Sequence, residues 1–100
     1  MKLADKPIQQ TPYFKKKFKE RIIPNKKLVN LYKEMLVNFP TYRHLYTDHA
    51  LDNKMKNLRS LYVDNDCRLV YRETDSKFIF EDIGTHKQVY ITNFKDKFLF

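Results

Sequence analysis

The chain is poor in glycine and cysteine and has no tryptophan, and these shortages limit what it can be. Its 100 residues include one glycine, one cysteine and four prolines. So little glycine and proline leaves no room for a flexible linker. The lone Cys67 excludes an intrachain disulfide and a cysteine cluster for a metal. No stretch approaches the roughly 20 apolar residues of a membrane span, and residues 1–10 lack the apolar segment of a signal peptide. We therefore expect a cytoplasmic protein with no membrane partner.

The length and composition predict one folded domain. One hundred residues can bury one hydrophobic core, but not two. Hydrophobic residues make up 42% of the chain, with eight phenylalanines and seven tyrosines, which is too apolar for a disordered segment. We find no internal repeat. Residues 1–100 are therefore expected to form a single domain.

Acidic residues are the scarcer charged type, and they are unevenly distributed. Twenty Lys and Arg against twelve Asp and Glu give a formal net charge of +8. Residues 1–59 carry fourteen basic and five acidic residues, whereas residues 60–100 carry six and seven. Such a field favours polyanionic partners such as nucleic acid. A solvated, lysine-rich helix face would give the same composition, so both interpretations stay open.

The first third of the chain carries the signals of a strand and a helix. Residues 6–11 favour an extended segment. Thr11 followed by Pro12 is typical of a helix N-cap with proline at the first helical position. Aromatic and aliphatic residues then recur every four positions from Phe14 to Ile22, which predicts an amphipathic helix.

A second helix and a long loop follow. Pro24-Asn25 breaks the first helix. The next apolar residues have the helical spacing i, i+3, i+4, i+7, i+8 and end near Pro40; they are Leu28, Leu31, Tyr32, Met35 and Leu36. Residues 41–57 have no clear period and contain two of the three histidines. We interpret them as a long ordered loop, a kind that often carries function.

After the loop the hydrophobic period changes to two, which predicts strands over residues 58–63, 67–73 and 78–84. Turn-forming residues at 64–65 and 74–76 separate them. The predicted order is therefore βααβββ. Strands collected after a helical pair indicate an α+β fold, in which the N-terminal strand and helical hairpin pack on one face of a small antiparallel sheet.

The first hairpin sorts its side chains onto two faces. A three-residue loop with Asn65 in the left-handed conformation would place Tyr62 opposite Asp66. The same register would place Ser60 opposite Arg68. Alternation then divides the residues into two sets. The helix-facing set is Leu61, Cys67, Leu69 and Tyr71, and the open-face set is Ser60, Tyr62, Asp66, Arg68 and Arg72. An acid, two arginines and a tyrosine on one open face indicate a site rather than a core.

Short motifs occur in a defined order between residues 48 and 90. They are Asp48-His49-Ala50-Leu51, Lys54-Met55-Lys56, Leu58-Arg59-Ser60, Asp66-Cys67-Arg68-Leu69-Val70-Tyr71-Arg72, Ile83-Gly84-Thr85-His86 and Val89-Tyr90. Together they resemble the signature half of the RelE/YafQ-type bacterial toxins. Residues 11–19 also resemble that family's first strand and helix. The resemblance implies a RelE-like fold.

The resemblance also implies a function. Such a protein is the toxin of a type II toxin-antitoxin system, an endoribonuclease (mRNA interferase) that cleaves mRNA, commonly on the ribosome, and is neutralised by a cognate antitoxin. RNA supplies its own nucleophile, the 2′-hydroxyl. The protein must therefore supply in-line positioning, a base, a cation and an acid. This scheme requires no metal and no cofactor.

Five residues are the candidate catalytic set. His86 and His49 suit proton transfer, because imidazole exchanges protons near neutral pH. Asp66 would position the 2′-hydroxyl or orient a histidine, and Arg68 would bind the scissile phosphate. By resemblance, Tyr90 would stack on the target nucleotide or hydrogen-bond near it.

Four further residues are candidates for RNA binding. Lys54 and Lys56 would grip the flanking phosphates. Tyr62 and Arg72 share the predicted open face. Arg59 lies on the other face, where a structural ion pair is the expected role.

Structural interpretations compete with these roles. His49 could bond within a turn, and His86 could hold the C-terminal turn. Asp66 could close the hairpin. His44 is expected at the surface, and a metal site formed with the other two histidines is not expected, because His44 and His49 are not at helical i, i+4 spacing.

The chain also departs from the family pattern. Asn53 and Asn57 stand where many relatives have glycine, and asparagine tolerates left-handed backbone. Relatives often carry an acid, a histidine and a tryptophan where this chain has Ser60, Tyr62 and Cys67. Two alternatives therefore remain open: a ParE-like toxin that inhibits DNA gyrase, or a catalytically inactive RNA-binding or regulatory relative. The tail, residues 91–100, could add an edge strand or fill a partner's groove.

Overall fold

A computed structural model describes residues 6–51, 55 and 57–92. Along the chain the elements are β1 (Ile8–Gln10), α1 (Pro12–Arg21), α2 (Lys26–Asn38), a 3₁₀ turn (Arg43–Tyr46), β2 (His49–Ala50), β3 (Arg59–Asp64), β4 (Cys67–Glu73), β5 (Phe78–Gly84) and a short C-terminal π-helix (Lys87–Thr92). The strands form one sheet in the order β1-β5-β4-β3-β2. Strand β1 is parallel to β5, and the other neighbours are antiparallel. The α+β class is confirmed. The predicted antiparallel sheet is a mixed one, because β1 joins it as a parallel edge strand, and β2 and the C-terminal helix are additions to the predicted order.

Both long helices begin at a residue whose side chain caps the first turn, and the cap of the first helix, Thr11, was predicted. Thr11 Oγ1 accepts a hydrogen bond from Phe14 N at 2.9 Å, and Pro12 occupies the first turn. Asn25 Oδ1 accepts from Leu28 N at 3.2 Å at the start of α2. That helix ends at Asn38, and its extended C-cap residue Phe39 directly precedes a proline.

The two helices cover one face of the sheet and bury the main core. The four residues predicted to face the helices, Leu61, Cys67, Leu69 and Tyr71, all belong to this core. Phe14 is fully buried and packs edge-to-face on Phe80, with ring centroids 5.6 Å apart. A fully buried side chain of this size contributes about 1.5–3 kcal/mol. The helices therefore shield one face of the sheet and leave the opposite face for a site.

The register predicted for the first hairpin is wrong by two residues. Tyr62 lies opposite Arg68, and Ser60 lies opposite Val70. The hairpin closes through a tight turn at residues 65–66, and the pairing shifts between Tyr62 and Asp64 to absorb one extra residue. Asn65 is not left-handed; within the described ranges only Thr47 (φ 56°) and Asn57 (φ 77°) are non-glycine residues with positive φ. A shift of two residues preserves parity, so the predicted faces survive.

The only glycine of the chain lies where two side chains approach the end of β5. A Cβ at Gly84 would lie 2.6 Å from Gln88 Oε1 and 2.9 Å from Arg21 Nη1. Arg21 Nη1 donates to Ile83 O at 3.0 Å and also lies 3.4 Å from buried Asp82 Oδ1. The Arg21 hydrogen bond joins the end of α1 to the end of β5, and the positive φ of Gly84 (159°) favours glycine there.

The lysines of the helical layer point to solvent. Those exposed are Lys15, Lys16, Lys19, Lys26, Lys27 and Lys33. They lie on the two helices, which pack on one face of the sheet.

In the part of the chain that the structure describes, no helix has the length and apolar character needed to cross a bilayer.

Cys67 should make the folded protein sensitive to alkaline pH. Burial raises the pKa of its thiol from 9.0 to about 12. Above pH 9 the unfolded thiol loses its proton while the folded thiol keeps it, so the free energy of unfolding falls as pH rises. Above pH 9, we expect the wild type to lose at most about 1.4 kcal/mol of unfolding free energy per pH unit more than Cys67→Ala loses. Urea unfolding of the wild type and of Cys67→Ala from about pH 8 to about pH 11 measures this difference. Parallel pH profiles would contradict it.

Candidate functional site

A cavity of about 340 Å³ opens on the sheet face that the helices leave free. The described residues that line it are His49, Leu51, Met55, Tyr62, Arg68, His86 and Tyr90. They come from β2 and the loop after it, from β3 and β4, and from the C-terminal segment. Five of the nine residues predicted for the site thus line one cavity.

His49 is held by a hydrogen bond that sets its proton arrangement. Its Nδ1 lies 2.8 Å from the carbonyl oxygen of Thr47. A carbonyl only accepts, so Nδ1 carries a hydrogen and donates it. The left-handed Thr47 turns the backbone just before β2. In the neutral imidazole, Nε2 is therefore the nitrogen that can accept a proton.

A polar network anchors the segment that carries His49. Asp48 Oδ2 accepts from Arg59 Nη2 at 2.5 Å and Nε at 3.1 Å. Its Oδ1 accepts from the Tyr71 hydroxyl at 2.5 Å, and that hydroxyl accepts from Arg43 at 3.1 Å. Burial, and then the bond to Asp48, raise the pKa of Tyr71 above its ordinary value. The structural ion pair predicted for Arg59 is confirmed.

Arg68 places a positive charge in the cavity wall. Its guanidinium carbon lies 3.6 Å from the centre of the Tyr62 ring, a cation-π contact. Its Nη1 donates to the carbonyl oxygen of Asn65 at 2.8 Å. The residue is 8% exposed. The stacking and the hydrogen bond hold the charge in one position, as binding a phosphate requires.

His86 sits at the start of the C-terminal helix, where two neighbours cap the first turn. Gln88 N donates to Thr85 Oγ1 at 3.1 Å, and Thr85 N donates to Gln88 Oε1 at 2.9 Å. This reciprocal pair is a capping box. Sequence reasoning missed the helix, although Thr-x-x-Gln was the available signal. The His86 ring contacts the Tyr90 ring edge-to-face, with centroids 4.7 Å apart.

Ser60 is the site residue whose role sequence reasoning did not assign. It is fully buried, and its Oγ shares a hydrogen bond with the Tyr90 hydroxyl at 2.5 Å. The Tyr90 hydroxyl, expected near the nucleotide, is therefore bonded inside the protein. Burial raises the pKa of Tyr90, although the Ser60 hydrogen bond acts in the opposite direction.

The other candidates lie elsewhere. Asp66 is exposed in the β3-β4 turn and is not among the described residues that line the cavity. Arg72 forms an ion pair with Glu81 at 3.1 Å. Lys54 and Lys56 lie outside the described residues, as does Asn53. Asn57 has the left-handed backbone that was expected for it.

A larger groove of about 650 Å³ adjoins the cavity at Leu51 and contains Arg72 and Arg59. The charges of both arginines are paired with acids. It contains neither candidate histidine, whereas the smaller cavity contains both. His44 is exposed, as expected. Within the described ranges, no three His, Cys, Asp or Glu side chains lie together as a metal site.

Known structures share this fold. E. coli YafQ is 25% identical, with a TM-score of 0.68 over 85% of this chain and 98% of that protein. The YafQ chain of an E. coli DinJ-YafQ toxin-antitoxin complex is 27% identical, with a TM-score of 0.65 over 85% of this chain and 97% of that one. Helicobacter pylori HP0894 is 23% identical, with a TM-score of 0.68 over 84% of this chain and 98% of that one, and shares the fold.

A family model extends the likeness from the fold to the sequence. No curated protein sequence matches this chain significantly. The model of the type II toxin YafQ matches residues 6–91, which include every strand and both long helices. The chain therefore belongs to the YafQ family of bacterial toxins of type II toxin-antitoxin systems.

Proposed function

We propose that this toxin is an endoribonuclease that cleaves mRNA by attack of the RNA's own 2′-hydroxyl. The observation that carries the proposal is that His49, His86 and Arg68 line the same cavity. Two imidazoles and one guanidinium provide a base, an acid and a cation, which are the groups that this reaction needs. A gyrase-binding toxin needs no such set.

Each group has one step. His49 takes the proton of the 2′-hydroxyl on Nε2, because its Nδ1 is occupied by Thr47. The 2′-oxygen forms a bond to phosphorus, and the bond to the 5′-oxygen breaks. His86 gives that 5′-oxygen a proton. Arg68 neutralises the extra charge on the phosphorane. The products are a 2′,3′-cyclic phosphate and a 5′-hydroxyl, and no water is consumed in this step.

The remaining candidates serve RNA binding in this proposal. Tyr62 supports the stacked Arg68, and the Tyr90 ring lies beside His86. Lys54 and Lys56 remain predicted phosphate contacts. Arg72 could bind a neighbouring phosphate. Asp66 remains a predicted auxiliary group; because it lies outside the cavity lining, it would act only on RNA that also reaches the β3-β4 turn.

The proposal includes a protein partner and a cellular setting. E. coli YafQ occurs in a toxin-antitoxin complex with DinJ. By analogy, we propose that a cognate antitoxin neutralises this toxin. We also propose that the toxin acts on mRNA at the ribosome in the cytoplasm. The formal charge of +8 suits both an acidic partner segment and RNA.

The purified toxin is expected to cut mRNA and leave 2′,3′-cyclic phosphate ends. The substrate is an end-labelled mRNA, with and without ribosomes, and the ends are identified by their sensitivity to phosphatase and kinase. EDTA should not stop the cutting of free mRNA, because the RNA supplies the nucleophile. Fragments with 3′-hydroxyl ends, or loss of cutting of free mRNA in EDTA, would contradict the scheme.

A cellular assay completes the test. Induction of the toxin alone should stop growth and translation, and co-expression of the neighbouring antitoxin gene should restore both. Growth arrest with intact mRNA and inhibited DNA supercoiling would favour the gyrase alternative. Normal growth with folded toxin present would favour the inactive relative.

A further inference from the structure

We infer that Ser60 is a positioning residue that holds His86 in the cavity through Tyr90. Its hydroxyl binds the Tyr90 hydroxyl, and the Tyr90 ring contacts the His86 imidazole. The inference rests on the proposed ribonuclease function in one respect, the catalytic role of the positioned His86 imidazole. The geometry of the three residues stands without it.

Ser60 is a rigid anchor because its strand is paired on both sides. It belongs to β3, faces Val70 of β4 on one side and His49 of β2 on the other, and is fully buried. Its position on the strand is therefore fixed by backbone pairing on both sides. The same residue meets His49 through the backbone and reaches His86 through Tyr90. One position of β3 thus sets the location of both histidines.

The His86 side chain needs such support because it is exposed. Buried Val89 packs with Leu58 and Val70 and so seats the C-terminal helix on the sheet. The capping pair at Thr85 sets where that helix begins. Neither feature fixes the direction in which the Tyr90 side chain extends from the backbone. The hydrogen bond to Ser60 does, because it holds the far end of that ring.

The state of the Tyr90 hydroxyl fits an anchoring role. Burial raises its pKa, so the phenol keeps its proton at neutral pH and does not act as an anionic base. The hydroxyl is engaged by a fully buried serine. What Tyr90 presents to His86 is its ring.

The test compares Ser60→Ala, Tyr90→Phe and the double variant. Each single change should lower kcat for RNA cleavage about tenfold with little change in KM, because it misplaces the imidazole without removing a substrate contact. The double variant should be no slower than either single variant, since both remove the same hydrogen bond. In NMR spectra, cross-relaxation between the His86 and Tyr90 ring protons should weaken in all three.

Tyr46→Phe is the matched control. The Tyr46 hydroxyl accepts from Asn38 Nδ2 at 2.8 Å in the helical layer, and Tyr46 is not among the described residues that line the cavity. This variant should lose comparable thermal stability and keep wild-type kcat. Wild-type kcat in Ser60→Ala, strictly additive losses in the double variant, or unchanged ring cross-relaxation would overturn the inference. If wild-type toxin does not cut RNA, the proposed function fails, and the cross-relaxation still decides whether Ser60 positions His86.

Discussion

His86→Ala is expected to yield a folded, antitoxin-binding protein that cuts RNA at least about a hundredfold more slowly than wild type, the scale of one positioned acid or base. The 5′-oxygen leaves poorly unless it is protonated, and imidazole suits that task near neutral pH. His86 is exposed, so its removal leaves no buried cavity. The measurement is single-turnover cleavage of end-labelled mRNA.

His44→Ala is the matched control, because this exposed histidine lies in the 3₁₀ turn and is not among the described lining residues. It should cut at the wild-type rate. His49→Ala should lose activity as well, but less than His86→Ala, since a solvent base can partly replace it. If His86→Ala cuts normally, the proton comes from another group, and Arg68 is the next to test, because the Tyr90 hydroxyl is bonded to Ser60.

Asp48→Ala should lower the free energy of unfolding by about 3 kcal/mol, the lower end for breaking a buried ion pair. The Asp48 side chain is only 6% exposed. Its loss leaves Arg59 and the Tyr71 hydroxyl without their acceptor. We choose the lower end because the Arg59 side chain is 33% exposed in the folded protein, so water can hydrate its charge when Asp48 is removed. Urea unfolding measures the effect.

Glu20→Ala is the control for Asp48→Ala. It breaks a more exposed ion pair with Lys17, three residues away in α1. Such a pair contributes less than about 1 kcal/mol. Asp48→Asn should fall between the two, because the amide oxygen can still accept from Tyr71. Equal stability of Asp48→Ala and Glu20→Ala would show that the network does not anchor the loop.

The helices and the faces of the sheet could be predicted because their signals are local. Thr11 and Asn25 mark helix starts through bonds that span only three residues. The helix-facing residues of β3 and β4 follow from alternation alone. That assignment survived a wrong register because the error was two residues, and a shift of two keeps every side chain on its face.

The features that could not be predicted depend on distant partners. β2 has only two residues, and its pairing with β3 leaves no periodic signal. The register shift in β3 depends on how tightly the turn closes. In the sequence, Ser60 is a small residue of a strand, and nothing near it indicates that the C-terminal helix places the Tyr90 hydroxyl within hydrogen-bond distance.

The candidate site was predicted in part, for the same reason. His49, Tyr62, Arg68, His86 and Tyr90 line the cavity. Their motifs come from separate segments of the sequence, and the resemblance to a known family indicated that these segments meet. The hydrogen bonds that determine which atoms are available, such as Thr47 to His49, became visible only in the structure. Roles for Asp66 and the two lysines remain predictions.

The parallel pairing of β1 with β5 sets the order in which a growing chain can fold. Thr11 N donates to Phe80 O at 3.2 Å, and Phe14 packs on the same strand. The first helix thus buries its apolar side against β5, the last strand that the structure describes. Contacts so distant in sequence form late, and domains fold as units. A ribosome that makes this toxin therefore carries a chain without its complete core until β5 has emerged, and without its complete cavity until His86 and Tyr90 have followed.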